Sequence, residues 1–77
     1  MNLFEDFYGE PKLDRAIETA IAEAKSDLGT GALNPEGKNE VCSHDVFHRT
    51  RMILDIPVSS VTMENRRTVH ALIEEQL

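Results

Sequence analysis

Apolar residues recur along this chain at intervals of three and four, in three separate runs. Leu13, Ile17, Ala20, Ile21, Ala24 and Leu28 form the first, a stripe that predicts an amphipathic helix over residues 10–28. Pro11 suits the first turn of that helix and Gly29 its end. Val46, Phe47, Thr50, Ile53 and Leu54 form the second run. They predict a helix over residues 43–54, capped by Ser43 and closed off by Pro57. The third helix is expected to start between Ser59 and Thr62 and to reach Gln76, with Val69, Leu72, Ile73 and Leu77 making its second half apolar. Asn65 and Arg66 fall near the same line. His44, His48, Arg51 and Asp55 lie opposite the apolar face of the second helix, and Met63, Arg67, His70 and Glu74 opposite that of the third. No internal repeat or low-complexity tract interrupts these patterns. The expected fold is therefore all-α, a short N-terminal helical turn plus three helices packed as a single small helical domain over residues 1–77.

Two segments fall outside the three runs. Leu3, Phe4, Phe7 and Tyr8 share one side of a short helical turn over residues 2–8, with Asn2 as cap, Glu5 in capping-box position and Gly9 as stop. Three of the four aromatic residues sit here, so the segment is either a lid on the core or an exposed anchor for a partner. Residues 29–42 read as a long loop containing an Asn34-Pro35-Glu36-Gly37 turn. Its glycines at 29 and 31 lack the spacing and the Gly-Lys-Ser/Thr of a phosphate-binding loop. So long a connection in a small chain is either mobile or a contact element.

With 77 residues, one core is only marginally stable. The one cysteine allows no internal disulfide, which leaves a second copy, a metal or a partner as reinforcement. A homodimer is expected on that ground, built on the N-terminal aromatics. No stretch has the apolar length of a membrane span, and the acidic N-terminus lacks the basic-then-apolar order of a signal peptide, so the expected location is cytoplasmic. The net charge of −6 argues against general affinity for nucleic acid or anionic membranes and favours either a basic protein partner or simple solubility through solvated acidic faces. Residues 1–40 carry nine acids and four bases, whereas residues 41–77 carry five acids, four bases and all three histidines. The second half would turn cationic below about pH 6.5. Within the acidic half, Glu10, Asp14 and Glu18 follow one line at four-residue spacing. They predict a solvated or docking face, since a carboxylate pair can serve acid–base catalysis only when burial raises one pKa.

Residue types with chemical potential concentrate in residues 42–54. His44 and His48 stand one helical turn apart, a spacing that can chelate a metal, with Cys42 close by. Four ligands would be needed, however, and a helix turns Cys42 toward the apolar side. No metal and no other cofactor is therefore expected, and a metal-binding module at Cys42, His44 and His48 is a second alternative only. Nucleophilic catalysis by Cys42 lacks an identifiable orienting group, and no enzyme activity is expected. Residues 53–66, Ile-Leu-Asp-Ile-Pro-Val-Ser-Ser-Val-Thr-Met-Glu-Asn-Arg, resemble the turn and recognition helix of helix-turn-helix repressors. That resemblance implies a DNA-binding regulator using residues 59–67, with Ser59, Ser60, Thr62, Asn65 and Arg66 reaching phosphates and bases. The chain departs from the motif at Arg51, where a small residue is usual, and at Asp55, where glycine is usual.

The expected function is thus that of a small acidic protein-binding regulator or inhibitor. Such chains include accessory proteins encoded by phages and mobile elements, and an acidic helix can stand in for nucleic acid on a basic partner. The candidate partner-binding residues are Phe4, Phe7, Tyr8, Glu10, Asp14, Glu18, His44, His48 and Arg51.

Overall fold

A computed structural model describes residues 2–34 and 36–77. A 3-10 turn at Phe4–Phe7 leads into α1 (Pro11–Gly29), a loop, α2 (Ser43–Ile53), a second 3-10 turn at Val58–Ser60, and α3 (Met63–Gln76). The described residues contain no strand, and the fold is all-helical as the periodicities predict. Among them, no helix is long and apolar enough to cross a membrane.

The core follows the predicted stripes closely on α1 and less closely elsewhere. Leu13, Ala16, Ile17, Ala20, Ile21 and Ala24 are buried on α1, and Leu28 at its end is half-buried. From α2, Val46, Phe47 and Thr50 enter the core, with Leu54 and Ile56 just beyond the helix. The Thr50 hydroxyl is satisfied in that apolar setting because it donates to the Val46 carbonyl at 2.8 Å. Ile53 is 41 % exposed, against expectation. At 100° per residue the arc of Val46, Phe47, Thr50 and Leu54 is centred roughly 75° away from Ile53, so the helix rolls it to the rim. On α3, Val69 and Ile73 are buried and Leu72 packs at the edge, whereas Leu77 is exposed. Leu77 lies past the last helical residue, where no helical turn directs it inward.

Both α1 and α2 end by the same device. Beyond α1, the Gly31 amide donates to the Leu28 carbonyl and the Ala32 amide to the Asp27 carbonyl, both at 3.1 Å. Gly31 supplies the left-handed residue, φ +94°, that this pair of bonds requires. The terminator is therefore Gly31, two residues later than the Gly29 that the sequence suggested. Beyond α2, Asp55 donates to Met52 at 3.1 Å and Ile56 to Arg51 at 2.9 Å. Here Asp55 takes the left-handed position at φ 56°. The place where a helix-turn-helix motif usually carries glycine thus has glycine-like backbone held by an aspartate, which tolerates that region better than most residues. Asp55→Gly should relieve the strain and stabilise the protein by about 0.5–1 kcal/mol, read as a higher urea midpoint.

The helix starts also differ in detail from the sequence reading. Cys42, not Ser43, is the flanking residue of α2, and its backbone carbonyl accepts the Val46 amide at 3.1 Å. At the first 3-10 turn the preceding residue is Leu3, whose amide donates to Asp6 at 3.0 Å. Asn2 does not cap it, and its side-chain amide instead donates to the Leu54 carbonyl at 2.9 Å, tying the N-terminus to the end of α2. Thr62 does cap α3: its hydroxyl accepts the Asn65 amide at 3.0 Å while the Asn65 side chain accepts the Thr62 amide at 3.1 Å.

The long loop is internally tied. The Asn34 side chain is buried at 9 % exposure, accepts the amides of Glu36 and Lys38 at 2.9 Å each, and donates to the Glu40 carbonyl at 2.8 Å. Gly37 closes the turn onto the Asn34 carbonyl at 2.8 Å. Pro35, the residue expected to set this turn, lies outside the described residues.

Candidate functional site

The predicted partner-binding residues separate into three places. Phe4 and Phe7 are buried in the core of their own chain and Tyr8 is half-buried against it. Phe4 packs its ring 5.3 Å from that of Phe47, and Lys12 lies over Phe7. Of the two fates open to this segment, the structure adopts the lid. Phe4 and Phe7 offer no exposed anchor, and the aromatic surface on which a homodimer was argued is consumed within the chain.

Asn65 fixes that lid. It is only 1 % exposed, and its side-chain amide donates to Glu5 Oε1 at 2.8 Å and to the Tyr8 hydroxyl at 3.0 Å. Capping of Thr62 uses its oxygen, so every polar atom of this buried side chain is engaged. The helix-turn-helix resemblance had aimed Asn65 at bases. It faces inward, and Arg66 lies over the Phe47 ring at 5.3 Å. The connection between α2 and α3 runs from 54 to 62, against the three or four residues of a helix-turn-helix turn. Arg49 points elsewhere again, bridging Asp27 of α1 and Asp45.

Glu10, Asp14 and Glu18 are exposed along α1, where the sequence placed them. Among the described residues none of the three has an ion-pair partner. The row runs past the end of α3, where Gln76 donates to the Asp14 carbonyl at 3.4 Å, and meets Lys25 in a shallow groove with Glu18, Ile21 and Ala22.

The third place is the outer side of the α2–α3 seam. His44 is exposed and His48 half-buried, and their rings meet edge to face with centroids 4.6 Å apart. His70 joins them from α3, its ring 6.4 Å from that of His44 and stacked on Phe47 at 5.1 Å. The His48 ring meets Phe47 edge-on at 5.6 Å. Phe47 is thus ringed by two histidines, Arg66 and Phe4, and it carries the geometry of the group. Burial pushes the His48 pKa below its ordinary 6.5, and the charges of His44, Arg51 and Arg66 push the same way against a smaller upward pull from Asp45. His70 is lowered for the same reasons, first burial, then His44 and Arg66, with Glu74 opposing.

Arg51 stands near these rings but is committed elsewhere. Its Nη1 donates to the Ile56 carbonyl at 2.9 Å, and its buried Nε has no hydrogen-bond partner. The Arg51 carbonyl meanwhile accepts the Ile56 amide. Arg51 therefore clasps the end of α2, and the sequence reading of it as a contact residue overlooked this use.

Sequence reasoning placed His70 on the far side of α3, where it would be solvated, and did not group Arg66 with the histidines. A signal was available. Arg66 and His70 are four apart on α3, as His44 and His48 are on α2, so the two pairs can meet wherever the helices run side by side. Among the described residues no group of three or more histidine, cysteine or acidic side chains is arranged to hold a metal ion. Cys42 stays out of the cluster, its Sγ donating to Glu36 Oε1 at 3.1 Å. Cys42, which the sequence turned toward the apolar side of a helix, is half-buried just before α2.

No protein-family model, curated protein or solved structure matches the chain.

Proposed function

We propose that this protein is a small non-enzymatic protein-binding regulator, one that docks a basic surface of its partner on the outer face of α1. One observation carries the reading: Glu10, Asp14 and Glu18 stand in line in solvent without ion-pair partners, in a chain of net charge −6. Asp14 and Glu18 on α1 present negative charge at an interval of about 6 Å, and Glu10, the residue just before the helix, extends the row. That interval is close to the spacing of phosphates along a nucleic-acid strand. A basic groove that binds nucleic acid is accordingly the kind of surface this face fits, and inhibition by occupancy is the mechanism. Charge complementarity of this sort speeds association and weakens with salt.

Affinity capture from the native host, with and without competing duplex DNA, tests the proposal. A specific partner should be retained at low salt and displaced by the DNA. The triple variant Glu10→Lys, Asp14→Lys, Glu18→Lys should keep its helical circular dichroism and lose the partner. Its substitutions at Glu10 and Asp14, at the start of α1, each cost about 0.3–1 kcal/mol against the helix dipole, so the fold is checked alongside. A partner retained by the triple variant, or indifferent to salt and DNA, would reject the acidic face as the contact.

A further inference from the structure

We propose that the histidine cluster makes the α2–α3 seam a pH-sensitive latch, closed while the imidazoles are neutral and loosened when they take up protons. Two sets of contacts hold α3 in place. It packs chiefly on α2, with smaller contact to α1. Its first turn is anchored separately, through Asn65 to Glu5 and Tyr8. Further along, His70 lies flat on the Phe47 ring of α2 at 5.1 Å, and His44 faces it at 6.4 Å. The middle of the seam therefore brings together two imidazoles, His44 and His70, that can each acquire a charge.

The charged groups around these rings are unequal in sign. On α2, His44 and His48 lie together with Arg51 nearby. On α3, Arg66 covers Phe47. Opposing them are Asp45 on α2 and Glu74 on α3, and Glu23 of α1 borders the same groove as His48. Asp45 is already engaged by Arg49 at 3.1 Å, and Glu74 is exposed. Protonating the cluster thus adds up to three positive charges beside the two fixed ones of Arg51 and Arg66. Stacking of imidazolium on Phe47 is favourable in itself, but Arg66 already uses that ring, and a second cation there meets the first.

Both His48 and His70 are held below their ordinary 6.5 in the folded chain. The unfolded chain therefore binds more protons over that interval, and stability falls as pH drops from about 6.5 toward the folded-state values. It is fully present above 6.5, where both states are neutral. Loosening should begin in the second half of α3, because its first turn is held separately by the Asn65 bonds to Glu5 and Tyr8.

Four measurements on the full chain test the latch. Urea midpoints should be lower at pH 5.5 than at pH 7.5. The triple variant His44→Gln, His48→Gln, His70→Gln should lose most of that difference. Amide protection factors, normalised to the unstructured chain at each pH, should fall further over residues 69–73 than over residues 16–24 as the pH is lowered. NMR titration supplies a readout that does not depend on the triple variant folding. His44→Gln removes an exposed like charge shared by both other rings, so it should raise the apparent pKa of His48 and of His70. The proposal is overturned if either ring titrates at or above 6.5 in the wild type, or if the triple variant keeps the whole pH dependence. It is equally overturned if protection falls uniformly across α1 and α3, or if His44→Gln moves neither pKa.

Discussion

Phe47→Ala should cost about 3–5 kcal/mol, which is comparable with all the stability one core of this size supplies. Most of the protein should then be unfolded at 25 °C, visible as lost helical circular dichroism without any denaturant. The magnitude comes from the number of elements meeting on one ring. Phe47 is 0 % exposed and touches Phe4 of the N-terminal lid, His48 of its own helix, and Arg66 and His70 of α3. Truncation leaves a cavity that no single neighbour can fill, and it also strips the surface on which the histidines rest. Phe47→Leu, which preserves most of the volume, should retain the fold at a cost of roughly 1–2 kcal/mol. Met52→Ala on the same helix, at a residue 70 % exposed, should change stability by no more than about 0.5 kcal/mol. Should Phe47→Ala remain fully folded with a urea midpoint close to wild type, the central role of this ring would be refuted.

The sequence made some of this visible because helical periodicity reports which side of each helix is wet. The α1 stripe of Leu13, Ile17, Ala20, Ile21 and Ala24 is a core face in the structure, and Glu10, Asp14 and Glu18 are exposed. Periodicity does not report how helices are rolled against each other. Ile53 belongs to the apolar arc of α2 by type and is exposed because the buried arc of Val46, Phe47, Thr50 and Leu54 is centred roughly 75° away from it. His70 sits opposite the apolar residues of α3, yet the crossing of α2 and α3 covers its ring. Nor does local pattern show where a polar side chain finds its partner across the fold. Asn65 bonds to Glu5 and Tyr8, 60 and 57 residues away, and Asn2 bonds to Leu54, 52 residues away. The residues of the histidine cluster were therefore legible as two i,i+4 pairs, while their meeting depended on tertiary packing.

Asn65 gives the other large expected effect, and its sign with pH is diagnostic. Asn65→Asp keeps an oxygen for the Thr62 amide but removes both donors, placing a carboxylate where the amide nitrogen now lies 2.8 Å from Glu5 Oε1. A buried charge left without a partner costs about 3–5 kcal/mol. Glu5 is exposed and can swing into water, so roughly 2–4 kcal/mol is expected at pH 7.5. The Tyr8 hydroxyl can turn to donate to the new carboxylate, which offsets part of the loss. Asn65→Leu removes the same bonds without adding charge and should cost about 1–3 kcal/mol. The two variants then diverge on acidification. Burial and Glu5 both raise the introduced carboxyl's pKa above that of an unfolded aspartate, about 3.9. Across that interval the folded variant binds the extra proton, so its deficit relative to wild type should shrink as the pH falls from 7.5 toward 5. Asn65→Leu should show a constant deficit over the same range. Wild type moves the opposite way through its histidines, so each deficit is taken as a difference at matched pH from paired urea titrations. An Asn65→Asp deficit that stays flat with pH, or that matches Asn65→Leu throughout, would mean that the side chain is not held against Glu5 in the folded protein.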